Sequence, residues 1–320
     1  MSLIFHIEKS DNKTSFYACN HKLFTIKHKS KYRKIYEKRF KGLTEAEQRY
    51  ILEQQFIRNT GYPLNLDNPQ TFNEKIQWLK LYDHNPLMTI CADKVAVRDY
   101  IKEKIGEEYL VPALGIYDKP EDIDFNKLPN RFVLKVNWGS GQNIIVKDKS
   151  TLDIEAAKTQ LAEWMKPENN HYYDFLEWAY KDIKPKIIAE KYIEQIDGKL
   201  LDYKFFCFNG KALYMQIDVD RQTNHMRSIY DMNFEKQNFS IKYPIYSETI
   251  KKPKYFDKMK QLSELFAHDF SLLRVDWYEI NNQLKVGELT FYSEGGQGCF
   301  EPKEWDYKLG ELIELPITEK

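Results

Sequence analysis

The pattern of hydrophobic and polar positions changes near residue 105, from helical spacing to the spacing of strands. Residues 44–47 (TEAE) and 71–74 (TFNE) both have the capping-box form, in which a Thr and a Glu three residues later satisfy the first amide groups of a helix. Apolar residues then recur at helical spacing within 76–82 and 93–105. The first third of the chain is therefore predicted to be largely helical.

Beyond residue 105, short apolar runs alternate with further helical segments. The predicted strands are Tyr109–Val111, Phe132–Asn137, Asn143–Val146, Ile187–Tyr192, Tyr203–Phe208, Ala212–Val219, Arg274–Ile280 and Leu284–Phe291. The predicted helices are Ile154–Met165, Tyr173–Tyr180 and Tyr255–His268. The expected fold class is α+β, with a helical N-terminal region followed by a hairpin-rich remainder.

Composition excludes several classes of protein. A chain of 320 residues predicts about two domains, and an aromatic content of 15% excludes a disordered chain. Four scattered cysteines without a CxxC pair exclude a disulfide scaffold and the usual structural zinc sites. The chain has no apolar run of the ~18 residues that a membrane span needs, and its start does not resemble a secretory signal. We therefore expect a cytoplasmic protein.

The charge is balanced overall but uneven along the chain. Lys and Arg number 48 and Asp and Glu number 48, yet residues 22–41 hold nine Lys or Arg and a single Glu. Such a basic segment, interleaved with aromatic residues, can contact the anionic inner face of a membrane or a lipid-linked glycan. Alternatively it is a solvated basic helix that packs on the acidic remainder. No recognition motif accompanies the basic segment, so nucleic acid is not an expected partner.

The most informative segment is 274–290, which predicts a hairpin carrying acids. A three-residue turn centred on Asn282 would pair Asp276 with Glu288 and Arg274 with Thr290, all on one face of the sheet. Opposed carboxylates repel each other unless a cation lies between them, and hard oxygen ligands favour Mg²⁺. The alternative is an exposed hairpin with ordinary surface charges.

Other polar side chains interrupt apolar strands. Lys135 lies in the run 131–138 and is followed by the turn Gly139-Ser140-Gly141, whose backbone amides could approach a phosphate. Asp202 and Lys204 are two residues apart and share a strand face. An edge strand would also explain such lysines. The chain lacks GxxxxGK[ST], GxGxxG, GxSxG and HExxH, so the two commonest nucleotide-binding designs are not expected.

The order of these segments resembles the ATP-grasp superfamily of carboxylate ligases, and more closely its TupA-like branch of bacterial surface-polysaccharide loci, associated with teichuronopeptide synthesis. The resemblance extends from about residue 65 to the end of the chain. It rests on PQTFNEKIQWLKLYD (69–83), ADKVAVRDYI (92–101), FVLKVNWGSGQNII (132–145), IIAEKYIEQ (187–195), LDYKFFCFNGK (201–211) and LRVDWYEI with VGELTFY (273–292).

The resemblance implies two α+β subdomains that clamp ATP, with domains at 1–85, 86–192 and 193–320. The nucleotide contacts that it implies are Lys94 and Lys135 on the phosphates, Gly139, Ser140 and Gly141 as a lid, Glu190, Lys191, Tyr192 and Ile193 on adenine, and Asp202 on the ribose. The catalytic and metal residues that it implies are Arg274 on the transferring phosphoryl, Lys204 on phosphate or acceptor, and Asp276, Glu288 and Thr290 on one or two Mg²⁺ ions. The superfamily usually has Asn where this chain has Thr290.

The activity implied is the ATP-dependent joining of an amino acid to a carboxylate of a surface polysaccharide, such as a uronic acid, through an acyl phosphate. The glycine-rich segment 293–298 is expected to shape the acceptor site. Three alternatives remain open from the sequence. They are a sugar kinase at the same ATP site, a glycosyltransferase using the DxD-like Asp218-Val219-Asp220, and a non-catalytic glycan-binding module.

Overall fold

The computed structural model describes residues 30–193, 201–219 and 224–317 in full, and residues 5–10, 13–18 and 21–27 by their backbone. Contacts within the chain define two compact units, Met1–Leu64 and Asn65–Lys320. No helix within the described ranges is long and apolar enough to cross a membrane.

The first unit contains an antiparallel sheet that the sequence analysis did not predict. Its strands, in spatial order, are β1 (Phe5–Ser10), β2 (Lys13–Ala18) and β3 (His21–Lys27). They are followed by helices α1 (Lys31–Tyr36) and α2 (Glu45–Thr60). The basic segment 22–41 is therefore not one helix, because its first part is strand; its side chains before residue 30 lie outside the described residues.

Helix α2 begins with the predicted capping box. Thr44 Oγ1 accepts from the Glu47 amide at 3.3 Å, and Glu47 Oε2 accepts from the Thr44 amide at 3.1 Å. The two first-turn amides are thereby satisfied, as helix initiation requires. The first unit has its own apolar contacts, because Ile51, Leu52 and Phe56 are buried on α2.

The second unit contains two larger antiparallel sheets with helices around them. Its helices are α3 (Phe72–Tyr82), α4 (Pro86–Ala92), α5 (Val97–Ile105), α6 (Ile154–Trp164), α7 (His171–Phe175), α8 (Phe256–Ala267) and α9 (Glu304–Glu311). The four-stranded sheet comprises, in chain order, β4 (Ala113–Tyr117), β5 (Phe132–Val136), β6 (Asn143–Val146) and β7 (Ile187–Lys191). Its spatial order is β4-β7-β5-β6.

The six-stranded sheet has the spatial order β11-β10-β9-β8-β13-β14. Its strands are β8 (Asp202–Phe208), β9 (Lys211–Val219), β10 (Met226–Asp231), β11 (Lys236–Gln237), β13 (Leu272–Ile280) and β14 (Gln283–Thr290). The short strands β12 (Ser240–Ile241) and β15 (Phe300–Glu301) pair separately.

The two faces of the six-stranded sheet carry different side chains. Helix α8 covers one face, where the fully buried Trp277 donates to Ser263 Oγ at 2.8 Å and Phe205 packs on Phe256. Because side chains alternate along a strand, Lys204 and Asp276 project from the other face. Every residue of β8 is nevertheless buried, so these charged groups lie in the interior of the second unit.

Three local predictions are wrong. Tyr109–Val111 is not a strand: Glu107–Tyr109 forms a 3₁₀ turn, and the strand follows at β4. The helix predicted at 173–180 is interrupted, because Leu176 adopts a left-handed backbone with φ of 53° after α7. The helix predicted from residue 93 begins only at Val97. The other predicted elements are found with bounds that agree to within two residues.

Candidate active site

A row of charged side chains crosses the face of the six-stranded sheet that α8 does not cover. Lys204 on β8 lies opposite Asp276 on β13, and Asp276 lies opposite Glu288 on β14. Arg274, one step along β13, faces Thr290. The predicted pairing of the acids is therefore confirmed, and β8 adds a lysine beside them.

The turn that sets this register differs from the predicted one. Asn281 and Asn282 form a two-residue turn with φ values of 48° and 63°, and Ile280 pairs with Gln283. Left-handed backbone at both central residues is typical of the type I′ hairpin turn, for which Asn is well suited. The register then shifts between Asp276 and Trp277, because Gly287 is an extra residue on β14. This bulge returns Glu288 to the position opposite Asp276.

Asp276 is held by two cations. Arg274 Nε lies 2.7 Å from Asp276 Oδ1 and Arg274 Nη2 lies 2.9 Å from Oδ2, while Lys204 Nζ lies 2.6 Å from Oδ2. Burial alone would raise the pKa of Asp276, but Arg274 and Lys204 outweigh burial and hold that pKa below its usual range. The carboxylate is therefore ionised at neutral pH, as a metal ligand must be.

The donor set fits a divalent cation bound with phosphate. A carboxylate offers about four lone-pair directions, and three of those on Asp276 accept from Arg274 and Lys204, so one remains. Glu288 adds a second carboxylate, and its contact with Lys94 is long, 3.4 Å. Within the described ranges no three His, Cys, Asp or Glu side chains form a metal cluster. Mg²⁺ is commonly bound by one or two carboxylates, with substrate phosphates as further ligands.

Lys94 connects this acid pair to the glycine-rich turn. Its Nζ donates to the Gly139 carbonyl at 2.6 Å while it contacts Glu288. Gly139 and Gly141 adopt φ values of 69° and 76°, which favour glycine. The turn that the sequence suggested for phosphates therefore lies beside the acids.

Lys135 and Glu190 were predicted for phosphate and adenine, and the structure brings them together. Lys135 Nζ lies 2.6 Å from Glu190 Oε2. Arg98, which the sequence analysis did not single out, lies 3.3 Å from Glu190 Oε1 and donates to the Val111 carbonyl at 2.9 Å. These side chains line a cavity that also includes Lys94 and Gly287. Arg98 follows Lys94 by four residues, and that spacing could have indicated it.

The remaining predicted adenine residues lie where β7 ends. The Lys191 amide donates to the Pro112 carbonyl at 2.9 Å, and its side chain is exposed. The Tyr192 ring receives the Arg131 guanidinium at 4.5 Å from its centroid, and Ile193 is the last described residue before 201. These contacts do not involve a nucleotide, so the adenine contacts of residues 190–193 stay a prediction.

Asp202 belongs to the ion cluster. It is buried, and Lys204 Nζ lies 2.5 Å from its Oδ2. The ribose contact of Asp202 stays a prediction. Its cross-strand neighbour Asp218, from the DxD-like motif, is also buried and accepts from Arg227 Nε at 2.7 Å. Asp220 lies outside the described residues.

The glycine-rich turn after β14 contacts both the ion cluster and a helix. Arg274 Nη1 lies 3.2 Å from Ser293 Oγ. A Cβ on Gly296 would lie 2.6 Å from Ile76 Cγ2 and Gln77 Nε2 on α3. Gly296 is thus required for packing, so a larger residue there would test the fold before it tests the expected acceptor site.

A family model described as TupA-like ATPgrasp matches residues 74–314 of the chain. No match was found among curated proteins. Several solved structures are similar. A D-alanine–D-alanine ligase from Bacillus anthracis complexed with ATP is 14% identical, with a TM-score of 0.41 and 82% of each chain covered.

Two further structures cover the chain less evenly. An L-amino acid ligase from Bacillus licheniformis is 13% identical, with a TM-score of 0.46 and 79% of this chain covered. Another structure of the Bacillus anthracis ligase is 20% identical, with a TM-score of 0.40 and 63% of this chain covered. The chain spans 56% and 57% of these two proteins, a little over half of their length.

Proposed function

Because the chain belongs to the TupA-like ATP-grasp family, we propose that it is an ATP-dependent ligase that joins a carboxylate to an amine. The observation that supports this proposal most is the charged row on the six-stranded sheet, in which Asp276 faces Glu288 between Lys204 and Lys94. Phosphoryl transfer requires acids that bind a metal ion and basic side chains that neutralise the phosphates, and this row supplies both.

In the proposed first step, a substrate carboxylate oxygen attacks the γ-phosphorus of ATP, and ADP leaves. Arg274 lies in the row where charge would develop on the transferring phosphoryl, and its hydrogen bonds to Asp276 fix the guanidinium plane. Lys94 and Lys135 would neutralise the phosphates. Preorganised cations of this kind stabilise the transition state without reorganisation, and loss of one typically costs ~10²–10³ in rate.

Asp276 and Glu288 would hold Mg²⁺, which when bound neutralises phosphate charge and orients the nucleotide. Thr290 has a hydroxyl where the superfamily usually has an amide, and it accepts from Arg274 Nη2 at 3.2 Å. We therefore expect Thr290 to position Arg274 more than to bind a second ion.

In the proposed second step, an amine attacks the acyl phosphate, and an amide and inorganic phosphate are formed. The resemblance to the TupA-like branch suggests an amino acid as the amine and a uronic acid of a bacterial surface polysaccharide as the carboxylate. The turn 139–141 would act as a lid that protects the acyl phosphate from hydrolysis. The basic segment 22–41 would suit an anionic, lipid-linked glycan at the inner face of the membrane.

The test is ³¹P NMR of the protein with Mg-ATP, a glucuronate-type acceptor and pooled amino acids. The expected products are ADP and inorganic phosphate, formed only when acid and amine are both present and not by Glu288→Gln. A stable phosphorylated sugar without any need for an amine would instead identify the kinase alternative. Absence of ATP binding and consumption would overturn the ligase and bring forward glycosyl transfer.

A further inference from the structure

The glycine-rich turn 139–141 is attached to a histidine that the mechanism above does not use. The Ser140 amide donates to His171 Nε2 at 3.3 Å. Gly139 lies against the same ring, because a Cβ built on Gly139 would be 3.0 Å from His171 Nε2. The imidazole therefore contacts two successive residues of the turn, and Lys94 donates to the Gly139 carbonyl of the same turn.

The ring is oriented by a carboxylate. His171 Nδ1 lies 3.1 Å from Glu177 Oε2, and the Glu177 side chain is only 7% exposed. Since Ser140 offers an N–H to Nε2, that nitrogen must be an acceptor, and the single proton of a neutral imidazole then lies on Nδ1, directed at Glu177. One hydrogen-bond pattern satisfies all three groups.

Glu177 is supported by a buried lysine that reaches a second turn. Lys80 Nζ lies 3.9 Å from Glu177 Oε1 and donates to the Gly295 carbonyl at 2.7 Å, and its side chain has no exposure. Gly295 belongs to the turn that follows β14 and that carries the Ser293 hydroxyl beside Arg274. A continuous path of polar contacts thus joins the turn 139–141 to the turn 293–296.

We propose that His171 is a positioning residue, which, with Glu177 and Lys80, holds the turn 139–141 in place for the phosphates of ATP. The role in phosphate binding rests on the proposed function, whereas the attachment of the turn does not. A backbone of glycines and serine has little intrinsic preference for one conformation, so its amides need an external partner to stay aligned.

The experiment compares two variants, each of which reproduces one nitrogen position of the His171 ring. In His171→Asn the side-chain amide occupies the position of Nδ1 and can still donate to Glu177, but nothing reaches Ser140. In His171→Gln the side-chain oxygen occupies the position of Nε2 and can accept from Ser140. Both variants lose the ring and with it the packing on Tyr180, so this loss does not distinguish them.

Two measurements are made on the full chain. Hydrogen exchange across residues 137–143 should be faster in His171→Asn, by about threefold to tenfold as expected for one hydrogen bond, and close to wild type in His171→Gln. The KM for ATP should rise by a similar factor in His171→Asn alone, with the KM for the carboxylate unchanged.

The outcomes separate the two proposals. Unchanged exchange in His171→Asn, or equal exchange in both variants, would overturn the positioning role whatever the activity. Faster exchange in His171→Asn alone, with no effect on the KM for ATP, would refute the link between this turn and the phosphates. If wild type itself binds no ATP while exchange behaves as expected, the attachment of the turn stands and the proposed function fails.

Discussion

Neutralising Asp276 should destabilise the fold much more than neutralising Glu288, although both acids are expected to be essential for activity. Asp276 accepts three hydrogen bonds from Arg274 and Lys204 in the interior, whereas Glu288 is 29% exposed and has a long contact with Lys94. Asp276→Asn leaves the Arg274 guanidinium without its carboxylate hydrogen-bond partner, whereas Lys204 keeps Asp202 as a counter-charge. Removing one partner of a buried ion pair typically costs about 3–5 kcal/mol, and we expect the lower end because Asn keeps one acceptor.

Glu288→Gln removes only a weak, partly exposed pair, which is worth about 0–1 kcal/mol, and it also relieves the repulsion from Asp276. Its free energy of unfolding should therefore stay within about 1 kcal/mol of wild type. Both variants should lose ~10²–10³ in rate.

Urea unfolding followed by tryptophan fluorescence measures this difference. All six tryptophans lie in residues 65–320, so the signal reports the unit that contains the site. A loss of about 3 kcal/mol lowers the urea midpoint by about 1 M for a slope of about 3 kcal/mol per M. Equal midpoints for Asp276→Asn and wild type would refute the ion-pair argument, as would a large loss in Glu288→Gln.

Three further predictions concern Lys80, Gly287 and Gly296. Burial lowers the pKa of Lys80 from 10.5 to about 8, so between pH 8 and 10.5 only the unfolded chain holds the proton. The stability of wild type should therefore rise with pH across this range, by about 3 kcal/mol relative to Lys80→Met. A difference in urea midpoints that does not change with pH would contradict this. Gly287→Ala should raise the KM for ATP several-fold, because its Cβ would lie 2.8 Å from Tyr278 Cε2 beside the cavity, and Tyr278→Leu should reverse that rise. Gly296→Ala should destabilise the second unit by about 1–3 kcal/mol in the same urea assay, because its Cβ overlaps α3, and an unchanged midpoint would count against this packing argument.

The acid pair could be predicted because a strand has a period of two and the hairpin is local. The predicted three-residue turn was wrong, yet the pairing of Asp276 with Glu288 was right, since the bulge at Gly287 adds the residue that the shorter turn omits. Alternation alone does not reveal where a bulge lies, so the tip of the hairpin could not be derived from the sequence.

Contacts between distant segments were harder to predict. Lys135 and Glu190 are 55 residues apart and meet because β5 pairs with β7, which no local pattern encodes. The sequence predicts a strand at 109–111, whereas the structure has β4 at 113–117. The apolar Leu110 and Val111 are buried without being strand, and Leu114 and Ile116 are exposed because β4 is an edge strand. Strand β3 overlaps the start of the basic segment 22–41, whose many lysines and arginines favoured its interpretation as a basic surface helix.

The most direct test of the ligase proposal follows the carboxylate oxygen. A uronic acid labelled with ¹⁸O in its carboxylate is incubated with the protein, Mg-ATP and the amino acid that supports turnover, and the phosphate is examined by ³¹P NMR. An acyl phosphate requires one carboxylate oxygen to leave with the phosphorus, so inorganic phosphate carrying one ¹⁸O is the expected product. Phosphate without label, formed during turnover, would contradict activation of the glycan carboxylate.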